Sequence, residues 1–519
     1  MNDILKICME KGILLDRESF ELINNLGDRE IVVDFLDKLN QTFKERFITK
    51  SVIVRNINKI QEFYYDSDRK KIIEKLLFQL GIDIAVEREI DTSNTQKTNE
   101  VPKAELFNDR FKVIDFPFLP SQKLEVEHFV RYFRNRFDEM KRFIQERAEM
   151  EGVVSINRIV PRKQIAFIGM VINKRYTKNK NLLIEFEDPT GRLNVLANKN
   201  MQAYSKAREL VLDDIVGVKG NGNGELFFAS DIIYPDVYIN EKVFLDREEY
   251  ALFTSDIHVG SIMFLKNNFE RFIRWINGET GDERQREISR KVKYLFIVGD
   301  TIDGVGVYPG QEHLLEVKDI RDQYKELARY LAMIKEDVTI FIIPGQHDAV
   351  RVAEPQPPIG TDYAEPIHQL RNVVLLGNPA MIEISNNGKK GLRFMLYHGA
   401  SMHSFISEIE ELRIIKAHQH PARVVKYLLK RRHLAPMHSS VLYIPSEKDF
   451  LMIREVPDII VTGDLHRSNL DNYNGVQIIT SSCWQSITPF EEKVGNTPDP
   501  CKVPLMNLKT REVKILDFS

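Results

Sequence analysis

Five apolar runs in the second half of this chain each stop at a turn that carries aspartate, histidine or an amide. The first is Leu252-Phe253-Thr254-Ser255-Asp256-Ile257-His258, whose carboxylate and imidazole stand two residues apart. The others occupy residues 294–303, 339–348, 394–399 and 458–466. Residues two apart on a strand point to the same side, so Asp256 and His258 can converge on one cation where the strand frays. Buried strands that end in Gly-flanked turns are how a layered α/β domain assembles a site along one edge of its sheet.

Oxygen and imidazole donors without thiolate suit manganese, iron or zinc, and enough are present to hold two ions that share a carboxylate. Two ions about 3.5–4 Å apart can clamp a phosphoryl oxygen and turn a bound water into hydroxide, which phosphoester hydrolysis needs. One such turn is more simply explained as an aspartate or histidine capping a loop. Five together exceed that explanation, and of the 12 histidines only His128 precedes His258.

The order Asp-x-His, Gly-Asp-x-x-Asp, Gly-Asn-His-Asp, His, Gly-His-x-His marks the calcineurin-like metallophosphoesterases, and this chain resembles them from about Phe244 onward. Four further segments resemble the small subunits of archaeal family D DNA polymerases. They are residues 299–312, His347-Asp348-Ala349-Val350-Arg351 with Glu354-Pro355-Gln356-Pro357, residues 430–436, and Trp484-Gln485. The resemblance implies that Asp256, His258 and His466 hold one ion, that Asp300 bridges both, and that His398 binds the second with Gln346 and Asp464. His347 would then stand beside the scissile phosphate as proton donor or charge stabiliser, with Asp348 orienting it by a hydrogen bond. Two positions depart from the family: Gln346 stands for Asn and Asp464 for His. Gln carries its amide oxygen one methylene further out, and Asp464 adds a negative charge that makes its ion a weaker Lewis acid. The first ion is therefore expected to be held more firmly than the second.

The fold expected is multidomain α+β. Residues 1–88 form a small helical N-terminal module and 89–120 a flexible linker; 121–245 form a long helix plus an OB-fold β-barrel, and 246–519 a layered α/β calcineurin-like phosphoesterase domain. Ile31, Val32, Phe35, Leu36 and Leu39 recur at helical spacing in the first module, while residues 91–100 contain no apolar side chain and read as linker. Ser121 is a candidate cap for a helix to about Met150, whose Phe129, Tyr132, Phe133, Phe137, Met140 and Phe143 share a side and read as a packing face. Short strands bounded by Gly, Asn or Pro then fill residues 152–238. Lys174, Arg175, Lys178 and Lys180 in the first hairpin either contact phosphates or are a solvated loop.

A net charge of −3 does not announce a nucleic-acid partner, yet a local basic face could still bind one. Arg423, Lys426, Lys430, Arg431 and Arg432 form the densest basic cluster and are assigned to a DNA backbone. Cys8, Cys483 and Cys501 make no paired framework and no Cys-x-x-Cys, so a reducing, cytoplasmic compartment is expected. No apolar run approaches the ~20 residues of a membrane span.

The resemblance to those small subunits implies a subunit of a DNA-directed DNA polymerase that acts in replication as a metal-dependent 3′→5′ exonuclease with two divalent ions, manganese foremost, iron or zinc otherwise. It would proofread single-stranded or mismatched DNA 3′ ends as heterodimeric partner of a large catalytic subunit, to which nucleotide addition belongs. The alternative is a catalytically weakened or inactive scaffold that stabilises that large subunit, and a third is an independent phosphoesterase.

Overall fold

The computed structural model describes residues 109–117 and 123–519, apart from 223–225, 240 and 495, with a few isolated positions before residue 49. The chain divides into two compact units, 1–98 and 99–519. In the first, Leu14–Leu15 pairs in parallel with Phe47–Ile48, and Cys8, Ile13 and Leu36 are buried. Beyond such positions the expected helical module over 1–88, the polar segment 91–100 and the cap at Ser121 lie outside the described residues.

The second unit begins with a strand, β1 (Phe111–Asp115), and a 20-residue helix, α1 (Val126–Gln145). The linker expected over 89–120 needs correcting here. Phe111 and Val113 are buried, and β1 pairs antiparallel with a strand some 270 residues later, Val113 opposite Ile382. The apolar alternation of Phe111 and Val113 was too short a signal to stand out from linker. Helix α1 starts at Glu125, whose backbone N–H donates to His128 Nδ1 at 3.0 Å, closing a capping box. Its aromatic stripe is a packing face as expected: Phe137, Met140 and Ile144 meet Ile168 and Ile215 of the barrel, and Tyr132 stacks on Tyr443 at 5.1 Å.

The barrel consists of β2 (Ile165–Tyr176), β3 (Leu182–Asp188), β4 (Gly191–Ala197), β5 (Ile215–Gly222) and β6 (Phe227–Ile233), closed in the order β2-β3-β4-β6-β5. A short helix, α2 (Ala203–Arg208), stands between β4 and β5. Period-two burial drives the closure: Leu182, Ile184 and Phe186 point inward, while Phe167, Phe186 and Phe227 meet edge to face at 5.7 and 5.3 Å.

The remaining residues build two facing six-stranded sheets. In one, β7 (Tyr250–Thr254), β8 (Val292–Val298), β9 (Thr339–Ile343) and β10 (Val373–Leu375) run parallel, with helices α3 (Lys266–Ile276) and α4 (Ile320–Ala332) on the connections. The other contains β11 (Ala380–Asn386), β12 (Lys389–Tyr397), β13 (Ile459–Thr462), β14 (Asn469–Tyr473) and β15 (Val476–Thr480), with β1 at its edge. Helices α5 (Met402–Glu408), α6 (Glu410–Ile414) and α7 (Pro421–Arg431) follow β12. Strands β16 (Lys502–Asn507) and β17 (Val513–Asp517) close the first sheet beyond β7.

The continuous apolar runs of the sequence hide an alternation that the layers reveal. Phe253, Phe296 and Phe394 stack between the sheets, Phe296 lying 5.2 Å from Phe253 and 5.0 Å from Phe394, whereas Leu252, Leu295 and Ile340 face helices α3 and α4. Strands buried on both faces must read as apolar throughout. Because β7, β8 and β9 are parallel, their carboxyl ends share one edge, and β12 and β13, parallel to each other, end facing it. Among the described residues no helix is long and apolar enough to cross a membrane.

Candidate metal centre

Each strand end turns sharply before releasing its polar side chain. Asp256, His258, Asp300, Asp464 and His466 all adopt left-handed φ values of 50, 53, 49, 68 and 55°. Non-glycine residues there cost on the order of 1 kcal/mol each, so five in one place mark a geometry that the surrounding packing enforces. Two glycines permit the convergence. A methyl group at Gly345 would lie 2.1 Å from Asp300 Oδ1, and one at Gly299 would lie 2.2 Å from His398 Nδ1.

The side chains form three sets of nitrogen and oxygen atoms, each within 4.8 Å of one another: Asp256, His258 and His466; Asp256, Asp300 and His398; and His258, Asp303 and His347. In the first, His258 Nε2 and His466 Nε2 are 3.4 Å apart and His466 Nε2 is 3.4 Å from Asp256 Oδ1. In the second, His398 Nε2 is 3.3 Å from Asp300 Oδ2, with Asp464 Oδ1 at 3.7 Å. Asp256 belongs to both of these sets and Asp300 to the second. Asp300 Oδ1 accepts from the His347 backbone N–H at 2.9 Å, which leaves Oδ2 to face His398. All of these groups line or adjoin one cavity of about 610 Å³.

Further groups fix the rings. His398 Nδ1 lies 2.8 Å from the Val298 carbonyl and donates to it, directing Nε2 inward. His258 Nδ1 is 3.1 Å from Asp303 Oδ1, and His466 Nδ1 is 2.9 Å from Glu491 Oε1. Asp303 is itself held by Gln311 and Gln485, whose Nε2 atoms donate to it at 3.1 and 3.2 Å. Such outer carboxylates set the tautomer and raise the basicity of the imidazoles they touch.

The charges here favour a cation. Burial works against Asp300, yet His398, His347 and His258 hold its carboxyl well below the ordinary carboxylate range. Burial alone would lower His398, yet Asp300, Asp256 and Asp464 hold it well above its ordinary value. Among the described residues, buried Asp256 Oδ1 and His398 Nε2 have charged neighbours at 3.4 and 3.3 Å but no partner in hydrogen-bond geometry. Leaving such atoms unpaired costs about 1–3 kcal/mol each, a penalty that a bound cation would cancel. The donors are imidazole and carboxylate, with no thiolate in any of the three sets. They fit divalent manganese, iron or zinc.

The remaining expected site residues fall out unevenly. Gln346 and His347 both line the cavity. His347 Nδ1 donates to the Asp303 carbonyl at 2.7 Å, leaving Nε2 for a substrate. Asp348 does not orient it, which is a second correction. The Asp348 carboxylate accepts from Gly345 N at 2.9 Å, Thr301 N at 3.2 Å, Tyr324 Oη at 3.2 Å and the Thr301 hydroxyl, so it locks the loop that carries His347 rather than the ring. Asp464 Oδ2 faces a histidine that sequence reasoning passed over, His403 Nε2 at 3.2 Å. His403 and His418 both line the cavity, with ring centroids 5.5 Å apart. His403 and Glu491 carry no strand-end signal, because helix α5 and a short helix over Pro489–Val494 deliver them; Asp303 was legible in Gly-Asp-x-x-Asp.

The basic cluster on α7 also needs correcting. Arg431 pairs with Asp214 of the barrel at 2.8 Å, Lys430 pairs with Glu209, and Arg432 lies 3.7 Å over the Phe143 ring of α1 while donating to the Ile453 carbonyl at 3.0 Å. Lys426 pairs with Asp471 at 2.6 Å, and Arg423 alone of the five is exposed, 3.9 Å from the same carboxylate. Carboxylates of neighbouring elements have taken the place expected of DNA phosphates.

Residues 252–470 match the B-subunit family of DNA polymerases alpha and epsilon. The chain is 37% identical over 399 residues to the DNA polymerase II small subunit of Methanothermobacter thermautotrophicus, covering 76% of this chain and 80% of that one. Against the DNA polymerase II small subunit of Archaeoglobus fulgidus it is 38% identical over 382 residues, 73% of this chain and 74% of the relative. The Pyrococcus abyssi DNA polymerase II small subunit is 39% identical over 402 residues, 76% of this chain but 63% of the relative, so the match spans less than two thirds of that longer protein. Among solved structures, a novel archaeal phosphodiesterase covers 51% of this chain and 98% of its own at 12% identity and a TM-score of 0.25, a likeness too slight to bear on the fold. Sharing more than a third of aligned positions over most of both lengths, the chain belongs to the family of archaeal DNA polymerase II small subunits.

Proposed function

We propose that this subunit is a metal-dependent 3′→5′ exonuclease that trims single-stranded or mismatched DNA 3′ ends, as cytoplasmic partner of a large polymerase subunit that performs synthesis. The observation that carries the reading is the pair of buried atoms without a hydrogen bond among the described residues, Asp256 Oδ1 and His398 Nε2, within adjoining sets of carboxylates and imidazoles at one cavity. Asp256, His258, His466 and Asp300 would hold one divalent ion, and Asp300, Gln346, His398 and Asp464 a second. When bound, two such ions neutralise a phosphodiester and make a bound water acidic. His347 Nε2 would hold a phosphate oxygen and pass a proton to the departing 3′ oxygen, its ring fixed by the Asp303 carbonyl. The facing sheets correspond to a calcineurin-like phosphoesterase domain and the closed barrel to an OB fold.

One observation favours the scaffold alternative. Asp464 is a carboxylate already shared between His398 and His403, which weakens any ion held there. Manganese-dependent release of nucleotides from a 3′-labelled oligonucleotide, abolished by Asp300→Ala, decides for the nuclease. No release from the complex with the large subunit, at any manganese concentration, decides for the scaffold.

A further inference from the structure

A second cavity, about 770 Å³, lies between the barrel and helices α5 and α6. Its barrel wall carries Arg175 and Tyr176 at the end of β2 and Lys180 in the hairpin turn, and α6 adds Arg413 opposite. Arg175 and Lys180 are exposed, and Tyr176 is 56% exposed. Lys174 does not present itself to solvent. Its Nζ donates to the carbonyls of Arg208 and Leu210, both at 2.7 Å, and so pins the hairpin to the end of α2.

The charge on these walls is unbalanced. Arg208 is matched by Glu410 at 2.6 Å. Arg175, Lys180 and Arg413 have no ion pair among the described residues, and Glu408 is the one wall carboxylate left against them. Three unmatched cations around an exposed tyrosine suit a ligand that alternates phosphates with flat rings. An acidic peptide would satisfy the cations and leave the ring unused; a duplex would offer it no base face.

Helix α5 ties this groove to the candidate metal centre. Its second residue, His403, lines the first cavity and its last, Glu408, lines the second. Five residues of helix place the two roughly 8 Å apart along the axis.

We propose that the groove holds a single nucleic-acid strand, its phosphates on Arg175, Lys180 and Arg413 and a base on Tyr176, upstream of the end being cut. The direction of the strand rests on the phosphoesterase reading, whereas the binding does not.

The test uses the full chain, an oligothymidylate, a polyglutamate control and a thymidine p-nitrophenyl phosphate ester too small to reach the groove. Replacing Arg175, Lys180 and Arg413 together by alanine should lower oligonucleotide affinity at least tenfold. The slope of log affinity against log salt should fall by about 2, since each phosphate contact on a single strand contributes about 0.7. Tyr176→Ala should lower oligonucleotide affinity about tenfold and leave polyglutamate binding unchanged. Ester hydrolysis and the melting temperature should match the wild type. Oligonucleotide affinity within twofold of wild type in the triple variant overturns the proposal, as does an equal loss of polyglutamate binding in Tyr176→Ala. If the ester is never hydrolysed while the triple variant loses strand binding, the groove stands and the nuclease reading falls.

Discussion

Arg431 of helix α7 closes a two-point ion pair on Asp214 of the barrel, Nε to Oδ1 at 2.8 Å and Nη2 to Oδ2 at 3.0 Å, with both side chains buried. A fork against a carboxylate fixes two bodies in orientation as well as in distance. The barrel is thereby locked to the helix that packs on the second sheet.

Breaking that pair from one side leaves a buried charge unmatched. Arg431→Ala is expected to cost about 3–5 kcal/mol in denaturant unfolding. Arg431→Met combined with Asp214→Leu should recover most of it, because the desolvation of both charges disappears together.

Metal should act on the wild type in proportion to the donors present. Calorimetric titration with manganese is expected to find two sites, with His398→Ala leaving one and Asp300→Ala weakening both. Chelation should remove nuclease activity and manganese restore it. Asp300→Ala should lower the rate at least about a hundredfold, since the preorganised charge at the phosphate is lost.

Glu491 holds the centre through His466 Nδ1, at 2.9 Å. Glu491→Ala is expected to weaken manganese binding about 10–100-fold, with melting of the metal-free chain little changed. Asp303→Asn should do the same through His258. Unchanged manganese affinity in both variants would show that the two rings need no outer carboxylate.

A buried cluster outside the metal centre sets an acid limit on stability. His433 Nε2 lies 3.0 Å from Asp449 Oδ2, and Arg136 Nε lies 2.7 Å from the same oxygen. Burial, reinforced by Arg136, lowers His433 to about 4. The folded chain therefore binds fewer protons than the unfolded one between about pH 6.5 and 4, and the stability His433 contributes when neutral is lost as pH falls through that window. A loss of roughly 2 kcal/mol between pH 6.5 and 4.5 is expected from this residue. His433→Gln keeps donor and acceptor without titrating, so its stability should fall correspondingly less in urea unfolding followed across that range.

Much of the centre was legible because it is built from local pieces. Asp256 with His258, Asp300, His347, His398 and His466 each follow an apolar run or a Gly-containing turn, and a parallel sheet sends such ends to one edge. The alternation that separates Phe253 from Leu252 was not legible, since strands covered on both faces have no polar side to betray their register. Nor could the stretch around residue 431 be read correctly. Five basic residues look alike in sequence whether they meet phosphates or, as Lys430 and Arg431 do, the carboxylates of Glu209 and Asp214 more than 200 positions away.

The division follows from the range of the forces involved. Side-chain type and spacing along one strand determined which residues could offer oxygen or nitrogen to a cation. Which of those atoms share a cavity, that Asp256 belongs to two sets while Asp300 turns one oxygen to His347, and that His403 and Glu491 join them, was decided only when the sheets packed. Contacts between residues distant in sequence depend on how whole layers are seated, and no local pattern encodes that.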